Sequence, residues 1–170
     1  MKRRKRIEGL SVHARLSLLR RGVLDPDEIA DPVADFGTGN YIEAKPDVER
    51  LLDHPDPIVR YNALGTLAYE WGAAERVDRI VDILKHDQDS DCRRQAAGAL
   101  GSLHRGVRDK GLAKTLANVV LDQAERDDVR VSAYTALLDI LGIERTLQPN
   151  PLSIAVKDID WQLVRNSSAT

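Results

Sequence analysis

Four histidines, one cysteine and one Gly-x-Gly are the residues of this chain whose types could do chemistry. The histidines are His13, His54, His86 and His104. His54 and His86 each fall near a turn between helices, on one edge of the fold. Zinc gathers three or four ligands at about 2 Å from a common centre, so two edge histidines without a third ligand make a poor metal site. Cys92 is followed by Arg93 and Arg94, and two cations near a helix N-terminus lower a thiol pKa. The positions equivalent to Cys92 in the repeat described below hold Val59 and Val129, so the thiol reads as a small core group. Gly37-Thr38-Gly39 lacks the Gly-Lys-Ser/Thr ending and the strand-to-helix context of a phosphate cradle. No Ser/His/Asp set has an elbow motif or recognisable spacing. The residues therefore name no catalytic centre, metal or cofactor, and the chain is expected not to be an enzyme.

What does recur is structural. Anchored on an arginine, the pattern apolar-Arg-x-x-Ala-x-x-x-Leu occurs three times: Val59/Arg60/Ala63/Leu67, Cys92/Arg93/Ala96/Leu100 and Val129/Arg130/Ala133/Leu137. The arginines are 33 and 37 residues apart, and a self-similar period of that length marks stacked structural units. Ala and Leu four residues apart lie on one helix face, a small residue for close approach and a large one to fill volume. Asp56 before Pro57 reads as an N-cap with proline at the first helical position. Ser90 or Asp89, and Asp127 or Asp128, take the same role in the other copies. A further helix precedes each of these, with anchors Leu51, Leu84 and Leu121 in the same register. Residues 75–86 place Val77, Ile80, Val81 and Leu84 on one stripe, and residues 107–124 do so with Leu112, Leu116, Val119 and Val120. One hairpin of this kind cannot bury its own apolar face, so neighbours must stack.

These copies resemble the HEAT-repeat family, including its bacterial HEAT-like variants with Asp before the second helix and Arg near its start. The resemblance covers residues 47–142. It implies an all-α fold, an α-solenoid of about three helix pairs (47–72, 73–105 and 106–142), with the second helices lining the concave surface. It also implies that Asp56, Arg60, Asp89, Arg93 and Arg130 form a structural ladder, Asp and Arg pairing between neighbouring repeats. The His-Glu dipeptides by which HEAT-like metal hydroxylases hold iron are absent from the sequence.

Outside the repeats, 1–46 is read as a basic tail, a short helix over Ser11–Arg21 ending at Gly22, and an acidic connector. Asp25-Pro26, Asp31-Pro32, Gly37, Gly39 and Lys45-Pro46 give that connector, residues 23–46, an extended reading with at most a single turn over Asp27–Ala30. Gly142 closes the third repeat, and 143–170 is expected to cap its open flank through Ile159, Trp161 and Leu163. Net charge is −2, but it is unevenly spread. Residues 1–22 carry eight Lys/Arg against Glu8, whereas 23–57 carry ten Asp/Glu against Lys45 and Arg50. No stretch reaches the roughly 18 apolar residues of a membrane span, and no apolar segment follows the basic start as a signal peptide requires. With a single cysteine, a cytoplasmic location is expected.

Function is expected on the outward face of the second helices, where side chains differ between copies while core positions repeat. Tyr61, Asn62 and Tyr69 in the first copy and Arg94, Gln95 and Ser102 in the second are the candidate binding residues. Tyr and Arg are types favoured at interface hot spots. Gly65, Gly98, Val131, Ser132, Thr135 and Asp139 share the face. The expected function is a non-enzymatic protein-interaction module, an adaptor, scaffold or inhibitor, whose partner is another protein or a peptide. Nucleic-acid binding through the basic N-terminus and an accessory role beside a lyase-like enzyme are the alternatives. The near-neutral repeats disfavour the first, and no residue argues specifically for the second.

Overall fold

The computed structural model describes residues 7, 9–150 and 153–169, and every regular element among them is helical. Expectations that fall on the basic residues 2–6 lie outside the described residues. The chain forms two compact units, Met1–Ala73 and Ala74–Thr170.

The first unit holds α1 (Val12–Arg20), α2 (Pro26–Thr38), α3 (Lys45–Arg50) and α4 (Pro57–Gly65). The last turn of α4 widens into a π-helical turn over Thr66–Glu70. α1 starts at Ser11, whose hydroxyl accepts the Ala14 N–H, and Gly22 follows its end at φ +62°.

α2 corrects the reading of 23–46 as an extended connector. Asp25 caps it, with Pro26 in the first turn and Glu28 returning a hydrogen bond to the Asp25 N–H, a reciprocal capping box. Ile29, Pro32, Val33 and Phe36 then fall at i, i+3, i+4 and i+7, and all four are buried. Burial of that apolar arc outweighs the helix-breaking tendency of Pro32, which sits inside the helix. Gly37 belongs to packing rather than to a phosphate cradle. A Cβ there would stand 2.8 Å from Glu70 Cγ and 3.0 Å from Thr66 Cγ2, so its bare backbone lets α2 lie close to the end of α4. The Thr66 hydroxyl donates across the same contact to the Val33 carbonyl at 3.1 Å. The N-terminal extension is thus a helix pair in its own right, with α2 packed on α4 as one second helix packs on the next.

The second unit holds α5 (Val77–His86), α6 (Ser90–Leu103), α7 (Lys110–Leu121), α8 (Asp127–Leu141) and α9 (Trp161–Ala169). Each first helix packs on the second of its pair, α5 on α6 and α7 on α8, and α6 packs on α8. Gly101 repeats the device of Gly37, since a Cβ there would come within 2.7 Å of Ala136 Cα. Leu67 and Leu100, the leucines of the first two copies, are fully buried, as are Cys92 and Leu137. The first-helix anchors Leu51 and Leu121 are only half-buried; their neighbours Leu52 and Val120 are sealed in the core. Asp89 is the N-cap of α6. For α8 the N-cap is Arg126, while Asp127 and Asp128 form the first turn, facing the positive end of the helix dipole. Gly142 ends α8 in the left-handed conformation at φ +73°. α9 packs on α7, with Ile159 and Val164 buried and Trp161 and Leu163 half-buried.

Candidate functional site

The repeated arginine has a local task that its spacing did not disclose. Arg60 Nη1 donates to the carbonyls of His54 and Pro55 at 2.7 and 2.9 Å. Arg93 does the same to Asp87 and Gln88 at 2.8 and 3.3 Å. Each closes the turn between the two helices of its own pair, where backbone acceptors would otherwise lack partners. Asp56 and Asp89 are helix caps, accepting the Ile58 and Cys92 N–H groups at 2.9 and 3.0 Å. Arg93 also forms a two-pronged pair with Glu125 in the next repeat, Nε to Oε2 at 2.6 Å and Nη2 to Oε1 at 2.7 Å. That pairing holds the Glu125 carboxyl below its ordinary range. Arg130 turns elsewhere. Its Nε donates to the Val120 carbonyl at 3.0 Å, Nη1 meets Asp127, and its guanidinium lies 5.6 Å from the centre of the Trp161 ring.

With caps and turns fixed, the second helices can present only one arc outward. In the first unit, Val59, Ala63, Leu64 and Leu67 face the core of α4. The opposite arc carries Ile58, Tyr61, Asn62, Gly65 and Tyr69, at helical spacing along three turns. Ile58 is 52% and Tyr69 48% exposed, whereas Tyr61 and Asn62 are half-buried. The Asn62 amide donates to the Ile58 carbonyl one turn back, at 2.7 Å.

In the second unit the corresponding arc of α6 carries Arg94, Gln95, Gly98 and Ser102, and that of α8 carries Val131, Ser132, Thr135 and Asp139. Polar groups here bond largely to each other. Arg94 Nη2 reaches Asp91 at 3.2 Å, and the Ser132 hydroxyl donates to the Arg94 carbonyl at 3.0 Å. Thr135 donates to the Ser132 carbonyl at 2.9 Å. Asp139 accepts both prongs of Arg105, at 2.6 and 2.9 Å, and the Gln148 amide at 3.1 Å. Of the six candidate residues, the fold puts Tyr61, Asn62 and Tyr69 together on α4, and Arg94, Gln95 and Ser102 together on α6.

Among the described residues no group of three His, Cys, Asp or Glu could hold a metal ion. A cleft of about 560 Å³ lies between α7 and α9, with Arg108, Lys110, Ala113, Leu141 and Leu163 in its wall. Its carboxylate, Asp160, is occupied in capping α9, accepting the Gln162 and Leu163 N–H groups at 3.0 Å each. Sequence reasoning missed this cleft, the exposure of Ile58, and the part α2 plays. For α2 a signal existed: Asp25-Pro26 stands 31 residues before Asp56-Pro57 and starts a helix in the same way.

Paired helices whose second members stack on one another define an all-α repeat protein of the α-solenoid class. The chain belongs to the family of HEAT repeats, whose sequence pattern matches residues 44–138, more than half its length. Repeats of this family generally serve as protein-interaction scaffolds and are typically not enzymes. No curated protein matches the chain. No helix among the described residues is long and apolar enough to cross a membrane.

Proposed function

We propose that this protein is a non-enzymatic interaction module, an adaptor, scaffold or inhibitor, that holds a partner protein or peptide on the outward face of its second helices. The observation that carries this reading is the α4 stripe, where Ile58 and Tyr69 are about half exposed on a helix whose other side is sealed. Ile58, Tyr61 and Tyr69 fall on one outward line of the helix, an arrangement that supports a contact surface. Tyr61 and Tyr69 supply broad, stiff contact area at low entropic cost. Nucleic acid gains little from this face, because the outward stripes of α4 and of α2 beside it carry no lysine or arginine to meet phosphate.

The test is affinity capture, after nuclease treatment, from a lysate of the source organism. Wild type is compared with Tyr61→Ala/Tyr69→Ala on α4 and Arg94→Ala/Gln95→Ala on α6. The reading expects a protein recovered at near-stoichiometric amounts by wild type and lost with at least one variant. Equal recovery by all three, or capture of nucleic acid alone before nuclease, would overturn it.

A further inference from the structure

The cleft of the second unit, about 560 Å³ between α7, the end of α8 and α9, has the size of a small-molecule site. Ala113 of α7, Leu141 of α8 and Leu163 of α9 give it an apolar wall. Three charged residues also line it: Arg108, Lys110 and Asp160. Asp160 is engaged by the fold. Its carboxylate accepts two N–H groups at the positive end of the α9 dipole, and its own N–H donates to the Tyr134 hydroxyl at 3.2 Å. The two cations are not engaged. Neither the Arg108 guanidinium nor the Lys110 ammonium has a hydrogen bond or ion pair among the described residues. Arg60 and Arg93 close turns with their guanidinium groups, but the end of α8 asks nothing of the Arg108 side chain. Backbone N–H groups already meet its last carbonyls: Ile143 on Leu138, Gly106 and Gly142 on Asp139, and the Arg108 N–H on Ile140. These bonds pin the loop and hold Arg108 at φ +56°, a conformation uncommon outside glycine that concentrates at ligand clamps.

We propose that this cleft binds a small amphipathic carboxylate, an anion with a hydrocarbon body. The body would lie on Ala113, Leu141 and Leu163, and the carboxylate would pair with Arg108 and Lys110. A guanidinium matches a carboxylate in two-pronged geometry, and an ammonium adds a compact charge beside it. The two unpaired cations select the sign of the ligand: a cationic amphiphile would be repelled, and a neutral one would gain the apolar contact alone. The apolar wall selects the body, because acetate or phosphate would leave that surface in water. The site lies wholly within the second unit, and it does not depend on the reading of the α4 face.

The probe is decanoate, kept below its micellar concentration, titrated into the isotope-labelled full chain and read by the backbone amide signals in NMR. Decyltrimethylammonium carries the same hydrocarbon chain with the opposite charge, and acetate carries the same charge without the chain. Decanoate is expected to shift the amides of Ala113 and Asn166, both in the cleft wall, in a saturable way. It should bind at least about tenfold tighter than either control. Arg108→Gln/Lys110→Gln is expected to weaken it about tenfold, and Ala113→Leu, which fills the cleft, to abolish it. Amide signals that stay in place away from the cleft show that each variant is folded. Tyr69→Ala on α4 should leave decanoate binding unchanged. Equal binding of decyltrimethylammonium, or affinity for decanoate that is indifferent to Arg108→Gln/Lys110→Gln, would overturn the carboxylate. Shifts that never saturate, or that fall outside the cleft, would overturn the site. A peptide ending in two leucines that binds tighter than decanoate, and loses that affinity when its terminal carboxylate is amidated, would make the occupant a partner's chain end and overturn the small molecule.

Discussion

The outward faces of the two units are built from equivalent positions of the same repeat and have opposite characters. On α4, Ile58 and Tyr69 stand half exposed beside the acids of α2. On α6 and α8 the same positions, Val131 apart, hold small or polar groups, several of them bonded to their neighbours: Arg94 to Asp91, Ser132 to the Arg94 carbonyl, Asp139 to Arg105 and Gln148. Core positions cannot diverge in this way, because Leu67, Leu100 and Leu137 meet the same close-packed environment in each copy. The contrast teaches that repeated packing leaves the outward residues free to specialise. One unit leaves large apolar side chains exposed on its face, and the other bonds polar groups of its face to their neighbours.

The largest effects should be indifferent to this contrast. Leu67→Ala in the first unit and Leu100→Ala in the second should each cost about 2–5 kcal/mol in chemical denaturation, as fully buried large-to-small changes. A cost below 1 kcal/mol at either site would mean that the two cores differ, not only the faces.

Next come substitutions that should tell the units apart. Asp139→Ala removes a carboxylate only 12% exposed that binds both Arg105 and the Gln148 amide, a loss of about 1–3 kcal/mol. Gly101→Ala should cost about 1–3 kcal/mol, because the new Cβ meets the backbone of Ala136 at 2.7 Å. Gly37→Ala should cost less, since its nearest contact is the flexible Glu70 side chain and alanine favours the helix by up to about 1 kcal/mol.

The Arg93–Glu125 pair adds a pH signature to the second unit. The folded-state pKa of Glu125 is depressed below its ordinary 4.5 by the Arg93 hydrogen bonds. Its contribution is therefore present above that value and lost as pH falls through the folded-state pKa. Glu125→Gln should cost about 1–3 kcal/mol near pH 7, and the gap to wild type should narrow below pH 4.5. A gap that is constant with pH would show that the pair's charge contributes nothing.

The smallest change in stability should come from the first unit's face. Ile58→Ser and Tyr69→Ala should shift stability by no more than about 0.5 kcal/mol. A loss above 2 kcal/mol for either would show that the stripe is part of the first unit's packing, and the contrast between faces would collapse.

Much of the architecture was legible because helical period and capping are local. Asp56-Pro57, the Ala/Leu spacing and Gly142 mark their helices without reference to the rest of the chain. α2 escaped detection because Pro32, Gly37 and Gly39 signal breaks locally, whereas burial of Ile29, Val33 and Phe36 against neighbouring helices decides the outcome. The same limit applies to the site. Tyr61, Asn62 and Tyr69 could be placed on one outward arc by counting from Arg60. That Asp139, nine residues after Arg130, would be bound by Arg105 and Gln148 depended on residues 34 and 9 positions away.

The sequence by itself determined the repeat, the helical class and the arc of each second helix that turns outward, since these follow from spacing within a few turns. Tertiary structure decided that α2 continues from its Asp25-Pro26 start through Pro32 and Gly37 as a helix, and which partner each charge takes. It also decided which outward arc keeps its apolar side chains exposed. Those outcomes turn on desolvation and on contacts between residues distant in the chain, which no local pattern encodes.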